Sequence, residues 1–161
     1  MREVKVYVME VLTPILAPKH PKAVLRVLIE RYRLREKYGD VAQSLDSVFL
    51  RAIDPFRNTM CVYITGSTLR SAIKEALGLA GKPTPELFVL GAYFNEEDVI
   101  MYSRSVTQAS GVKTVVNDEA ILPGAKGVVY GILDGIKLPI QFTIGRSKNR
   151  GFGQAVIREA K

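Results

Sequence analysis

The chain has 161 residues, 47% of them apolar and 24% charged, which is enough to fold one domain around a real core, and no segment approaches the length of a membrane-spanning helix. One cysteine, Cys61, and one histidine, His20, exclude a disulfide framework, a Cys-ligated structural zinc and a His-pair metal site. A formal charge of +7 favours an acidic partner over a basic one, although charge speaks to association and not to fold. The first residues, Met1-Arg2-Glu3-Val4-Lys5-Val6, alternate charge with valine and lack a signal peptide's apolar run, so a reducing cytoplasm is the expected location.

Residues 5–12 are valine-rich with polar interruptions and read as a strand, closed by Pro14 and Pro18. Residues 22–37 have helical period: Leu25, Leu28, Ile29 and Tyr32 share one face, Pro21 suits the first turn and Gly39 the end. Short strands are expected at 45–51 and 61–64. Residues 67–79 give the clearest helix, with Leu69, Ala72, Ile73, Ala76 and Leu77 on one stripe, Ser67 as its N-cap, and Arg70 and Lys74 one turn apart facing outward. After Pro85 the texture becomes strand and turn: 87–94, 99–102, 112–116, 127–133, 138–144 and 152–158. The turns are Asn95-Glu96-Glu97, Asn117-Asp118, Asp134-Gly135 and Lys148-Asn149, and the last two strand pairs read as hairpins. The expectation is a single α+β domain over residues 1–161.

Two segments carry the chemistry. Ile64-Thr65-Gly66-Ser67-Thr68-Leu69-Arg70-Ser71-Ala72-Ile73-Lys74 places glycine and hydroxyls where a strand hands over to a helix, whose first N–H groups and positive dipole end suit phosphate. Gly66 would remove the Cβ that holds a phosphate away, and Arg70 and Lys74 would add charge. Ile144-Gly145-Arg146-Ser147-Lys148-Asn149-Arg150-Gly151-Phe152-Gly153 interleaves three cations with three glycines and an aromatic, and permits close approach by another backbone. Each segment also has a plain reading, as a capped turn and as a hairpin tip. No helix follows the second, so it is neither a Rossmann nor a P-loop fingerprint.

The segment from Tyr63 to Ile73 resembles the "I-P-G-S-S-L-K-G-A-L-R" strand–turn–helix of the RAMP superfamily of CRISPR-associated proteins, and 144–153 is similar to that superfamily's C-terminal glycine-rich loop. Leu87-Phe88 with Gly91, and Glu119 through Pro123-Gly124, fit two further stretches in the same order, so the likeness spans roughly Leu45 to Ile157. Thr65 stands where the family has proline, Ser71 where it has a second glycine, and the chain is short for thumb-like insertions. The resemblance implies a ferredoxin-like, RNA-recognition-type fold, an antiparallel sheet with helices on one face. It also implies a place among the backbone subunits of type III effector complexes, with other effector subunits or further copies as neighbours. Leu45-Asp46-Ser47-Val48 is similar to the loop bearing a cleavage aspartate in some of them; Asp46 would then hold a divalent cation near the scissile phosphate.

Three functions follow. A binding module would grip crRNA or target RNA through Gly66, Ser67, Thr68, Arg70, Lys74, Gly145, Arg146, Lys148, Arg150, Gly151 and Gly153, provided the two segments converge in space. An endoribonuclease processing repeat RNA without metal would use His20 as general acid or base with Tyr32 or a lysine. A structural subunit would dock its Leu25/Leu28/Tyr32 stripe on a larger partner without an RNA site.

Overall fold

A computed structural model describes residues 3–160. The elements in chain order are β1 (Lys5–Val11), β2 (Ile15–Leu16), α1 (Lys22–Arg31), α2 (Leu34–Tyr38), β3 (Leu50–Asp54), β4 (Thr59–Thr65), α3 (Gly66–Ala76) and β5 (Phe88–Phe94), then β6 (Val99–Thr107), β7 (Lys113–Ile121), β8 (Lys126–Ile132), β9 (Ile140–Thr143) and β10 (Gln154–Glu159). Seven strands form an antiparallel sheet in the order β3-β4-β5-β8-β1-β10-β9, and β2-β7-β6 form a second, smaller one. The class is α+β with a large antiparallel sheet, and no helix among the described residues is long and apolar enough to cross a membrane.

Strand period assigns the faces. Along β1, Tyr7, Met9 and Val11 point to one side and are buried, with Val129 of β8 and Ala155 and Ile157 of β10 beside them. The α3 stripe of Leu69, Ala72 and Ile73 packs onto this side, as do Val99 and Ile121 of the smaller sheet. Each fully buried Leu or Ile is worth about 1.5–3 kcal/mol. The opposite side carries Cys61, Tyr93 and Tyr130, covered by the turn joining β3 to β4. There the buried Asp54 carboxylate accepts from the backbone N–H of Phe56 and Arg57, from Arg57 Nε at 2.6 Å and from the Tyr130 hydroxyl at 2.8 Å. Burial opposes the Asp54 charge, but the Arg57 side chain and the backbone donors outweigh it and hold the carboxyl below its usual range.

Several boundaries differ from the sequence reading. The expected helix at 22–37 breaks: Arg33 is left-handed at φ 53, and a second short helix follows. The break has a packing reason. A continuous helix would turn Leu34 about 200° from Tyr32, off the apolar stripe, whereas the observed reversal buries it with Leu25, Leu28, Ile29 and Val48. These two helices build a satellite core of their own, so only α3 lies on the main face of the large sheet, not all the helices as expected. Asn117-Asp118 is not a turn but lies inside β7, which runs far longer than 112–116. Residues 127–133 and 138–144 do not form a hairpin, because β1 and β10 lie between them; the 138–144 and 152–158 pairing is present as β9 and β10.

Two acids side by side on β7 explain the misread turn. Glu119 is fully buried and accepts from Arg51 Nη1 at 2.6 Å and Nη2 at 2.8 Å, from Tyr38 Oη at 2.6 Å and from Phe49 N at 2.9 Å. Arg51 reaches on to Glu96, which Lys37 also holds at 2.7 Å. Burial pushes the Glu96 carboxyl up, but hydrogen bonds from Arg51 and Lys37 outweigh it and bring it down to about 2. A depressed carboxyl stabilises the fold fully above its ordinary 4.5 and loses that contribution as pH falls toward about 2. Urea unfolding followed across that window should show Glu96→Gln losing less stability on acidification than the parent; parallel pH profiles would rule this out.

Candidate nucleic-acid interface

The strand-to-helix junction begins with β4, whose last residue, Thr65, caps α3: its Oγ1 accepts weakly from Thr68 N at 3.4 Å and donates to Thr68 Oγ1 at 2.7 Å. The cap is therefore Thr65 and not Ser67. This leaves the exposed Ser67, Thr68 and Ser71 hydroxyls along the first turns, beside N–H groups that have no partner within the helix. Gly66 serves packing and not phosphate approach: it is buried, and a Cβ there would stand 2.1 Å from the Val89 carbonyl oxygen of β5. That absent methyl lets α3 lie directly on the sheet.

The glycine-rich loop joins β9 to β10 around a short turn at Lys148–Arg150. Gly145, Gly151 and Gly153 all have φ near +80 to +90, which only glycine adopts freely. Their surroundings differ. A Cβ on Gly153 would lie 1.9 Å from the Ile144 oxygen and one on Gly145 3.1 Å from the Leu16 oxygen, while one on Gly151 would meet nothing within 4 Å. Two of the three glycines thus close the foot of the loop against its own body. Phe152 also turns inward, edge-on to Tyr102 at 5.9 Å and beneath the Arg104 guanidinium at 5.4 Å.

The two segments meet. Ser67, Thr68, Ser71, Ala72 and Glu75 of α3 face Thr143, Ile144, Gly145 and Lys148 across an open groove of about 430 Å³. On the other side of the Thr68–Gly145 seam lies a smaller apolar cavity. Arg150 is exposed and its side chain makes no hydrogen bond or ion pair among the described residues, and Lys148 stands 4.0 Å from Glu75 across the groove.

Three expected cations are spoken for. Arg70 is half-buried, not exposed: its Nε donates to Leu87 O at 3.0 Å and its Nη2 to Thr84 O at 2.8 Å and Thr84 Oγ1 at 2.7 Å. Lys74 donates to Lys82 O. Together they tie the 78–87 loop to α3, because that loop carries carbonyls that no strand satisfies. Arg70→Ala should therefore cost about 1–3 kcal/mol and speed amide exchange in 82–87; a variant as stable as its parent would contradict the assignment. Arg146 bonds Asp118 at 2.6 Å, Ser47 Oγ at 3.1 Å and Ala17 O at 2.8 Å, so it pins the loop to β7.

Asp118 was missed in the sequence, as was Arg104, whose Nη2 lies 3.5 Å from it. In the fully buried Asp118 the Oδ2 at that distance makes no hydrogen bond, and Arg104 Nε makes none either. A pair of acids in a stretch flanked by β-branched residues was the available signal.

Asp46 is exposed on the segment leading into β3. Its Oδ2 accepts from Asn117 N at 2.9 Å and its own N–H donates to Asn117 O at 2.7 Å, so it stitches that segment to β7. Among the described residues no group of three or more His, Cys, Asp or Glu side chains is placed to share a cation. His20, expected in an open turn, is half-buried and its Nε2 donates to Val48 O at 3.0 Å; Tyr32 instead lies against Arg51, 5.4 Å from its guanidinium. No protein-family model matches the chain, and no curated protein sequence matches it.

Proposed function

We propose that the chain is a RAMP-type RNA-binding module that holds single-stranded RNA, a crRNA or its target, alongside other subunits of a CRISPR effector complex. What carries the reading is the groove in which the α3 hydroxyls and first-turn N–H groups face the loop bearing Lys148 and Arg150. Hydroxyls on one wall and two loosely held cations on the facing loop match a phosphodiester better than any neutral ligand, and the net charge of +7 favours an anion. The ferredoxin-like form of the fold belongs to the proposal. With the two-residue β2 set aside and α1 and α2 taken as one helical unit, the order from β1 to β5 is strand, helix, strand, strand, helix, strand, although β5 returns antiparallel beside β4, so the likeness is one of element order and not of strand pairing. Asp46 and His20 hold backbone in place, and no cleavage step is assigned to them.

Binding of a fluorescent single-stranded RNA should weaken steeply with salt. The Lys148→Ala/Arg150→Ala double variant should bind several-fold more weakly and lower the log–log salt slope by about 1.4, two phosphate contacts at roughly 0.7 each. Neither side chain supports the core, so unfolding should be nearly unchanged. A double variant with parental affinity and slope would remove the groove from the account.

A further inference from the structure

We infer that the apolar cavity beside the groove receives one pyrimidine-sized nucleobase turned out of the strand whose phosphates lie in the groove. This rests on the RNA-binding reading and deepens it. The cavity has a volume of about 130 Å³ and is walled chiefly by Ile15, Leu16, Pro18, Phe49, Tyr63 and Ile144. It adjoins the groove directly, since Thr68, Ile144 and Gly145 line both. A polar channel and an apolar hole separated by a single row of residues reproduce the two halves of a nucleotide: a charged backbone that needs donors, and a flat ring that gains by leaving water.

Size favours one ring over two. A cavity of about 150 Å³ lined by Leu, Ile and Phe takes up benzene, and this one, of about 130 Å³ with a similar lining, matches a single six-membered ring more closely than the two fused rings of a purine. Chemistry favours it as well. Arg146, which completes the lining with Thr65 and Thr68, is anchored through Nε and Nη2, and those bonds leave its Nη1 donors for a ring carbonyl such as pyrimidine O2 or O4. Charge favours a nucleic-acid strand over an apolar peptide as the occupant: the loop over the cavity carries Arg146, Lys148 and Arg150 against Asp118, which Arg146 neutralises, and Glu75, which faces Lys148.

The test uses the full chain with labelled methyl groups and three probes: uridine 5′-monophosphate, adenosine 5′-monophosphate and ribose 5-phosphate. Uridine monophosphate should shift the Ile15, Leu16 and Ile144 methyl resonances saturably, adenosine monophosphate should bind at least about fivefold more weakly, as expected for a misfit of one ring, and ribose 5-phosphate should leave those methyls unmoved. Pro18→Trp, at an exposed rim position, should weaken oligouridylate binding several-fold without changing its salt slope. If the methyls stay silent while RNA still binds with a steep salt slope, the cavity is not a base site and the groove reading survives. Equal responses to the uridine and adenosine nucleotides overturn the size argument and with it the inference. If neither RNA nor any nucleotide binds, both readings fall together.

Discussion

Replacing Arg51 with alanine should destabilise the protein by about 3–5 kcal/mol, which is the range seen when one partner of a buried ion pair is removed. Its side chain is 2% exposed and it satisfies two carboxylates at once, Glu119 through a two-pronged contact and Glu96 through a second. Burial works against the guanidinium charge, and the Glu119 and Glu96 hydrogen bonds outweigh it and keep it charged. Alanine leaves Glu119 fully enclosed with only Tyr38 and the Phe49 N–H to hold its charge. For a chain of this length the midpoint of thermal unfolding should fall by roughly 10 °C. Removing both charges, as Arg51→Met with Glu119→Leu, should cost less than the sum of the single variants, because no bare charge remains in the core. Urea unfolding of the three variants measures both claims; an Arg51→Ala protein within about 1 kcal/mol of its parent would mean that water reaches Glu119 when the arginine goes, and that the pair is not structural.

The α+β class and most of the strands were legible because they depend on local period, although the strand expected at 45–51 lies at Leu50–Asp54 and the two-residue β2 carried no signal. Leu69, Ala72 and Ile73 on α3 and the alternation along β1 each report a buried face from a handful of residues. What was not legible depends on partners far away in sequence. Asn117-Asp118 looks like a turn until Arg146 and Arg104 arrive from other elements to neutralise Asp118, as Arg51 neutralises Glu119 beside it. The order β8-β1-β10-β9 could not be read from the tandem strands at 127–133 and 138–144, since the strands that separate them begin at Lys5 and Gln154. The break at Arg33 follows from where Leu34 must go, which is a tertiary demand.

The candidate site was half legible for the same reason. Its location, a helix start meeting a glycine-rich loop, could be read from residue types alone, and the two segments do adjoin. The roles within it could not. Arg70, Lys74 and Arg146 carry the right charge but satisfy carbonyls and Asp118 at home, while Ser71 and Thr143, which line the groove, carry no sequence signal beyond being hydroxylated. A cation's availability is decided by the acceptors folded around it, and those belong to other segments.

The glycines of the loop can be separated by experiment. Gly153→Ala should cost about 2–5 kcal/mol, the sum of left-handed backbone strain of about 1–2 and overpacking of about 1–3. The added Cβ would stand 1.9 Å from the Ile144 oxygen, inside contact distance, so Ile144 must move. Moving it strains the Ile144 N–H bond to the Gly153 oxygen at 2.8 Å and the Gly153 N–H bond to Pro14 O at 2.8 Å, which together fasten the loop's foot to the segment before β2. Gly151→Ala shares the backbone strain, at φ +90, but its Cβ would meet nothing within 4 Å, so it should cost only about 1–2 kcal/mol. Urea unfolding of the two variants side by side decides the matter, and equal costs would show that the foot yields freely. The difference bears on the proposed RNA binding because Gly153 is buried and does not line the groove. Any loss of RNA affinity in Gly153→Ala would therefore come from loosening the loop that presents Lys148 and Arg150, and should be recovered at temperatures low enough to keep the hairpin closed.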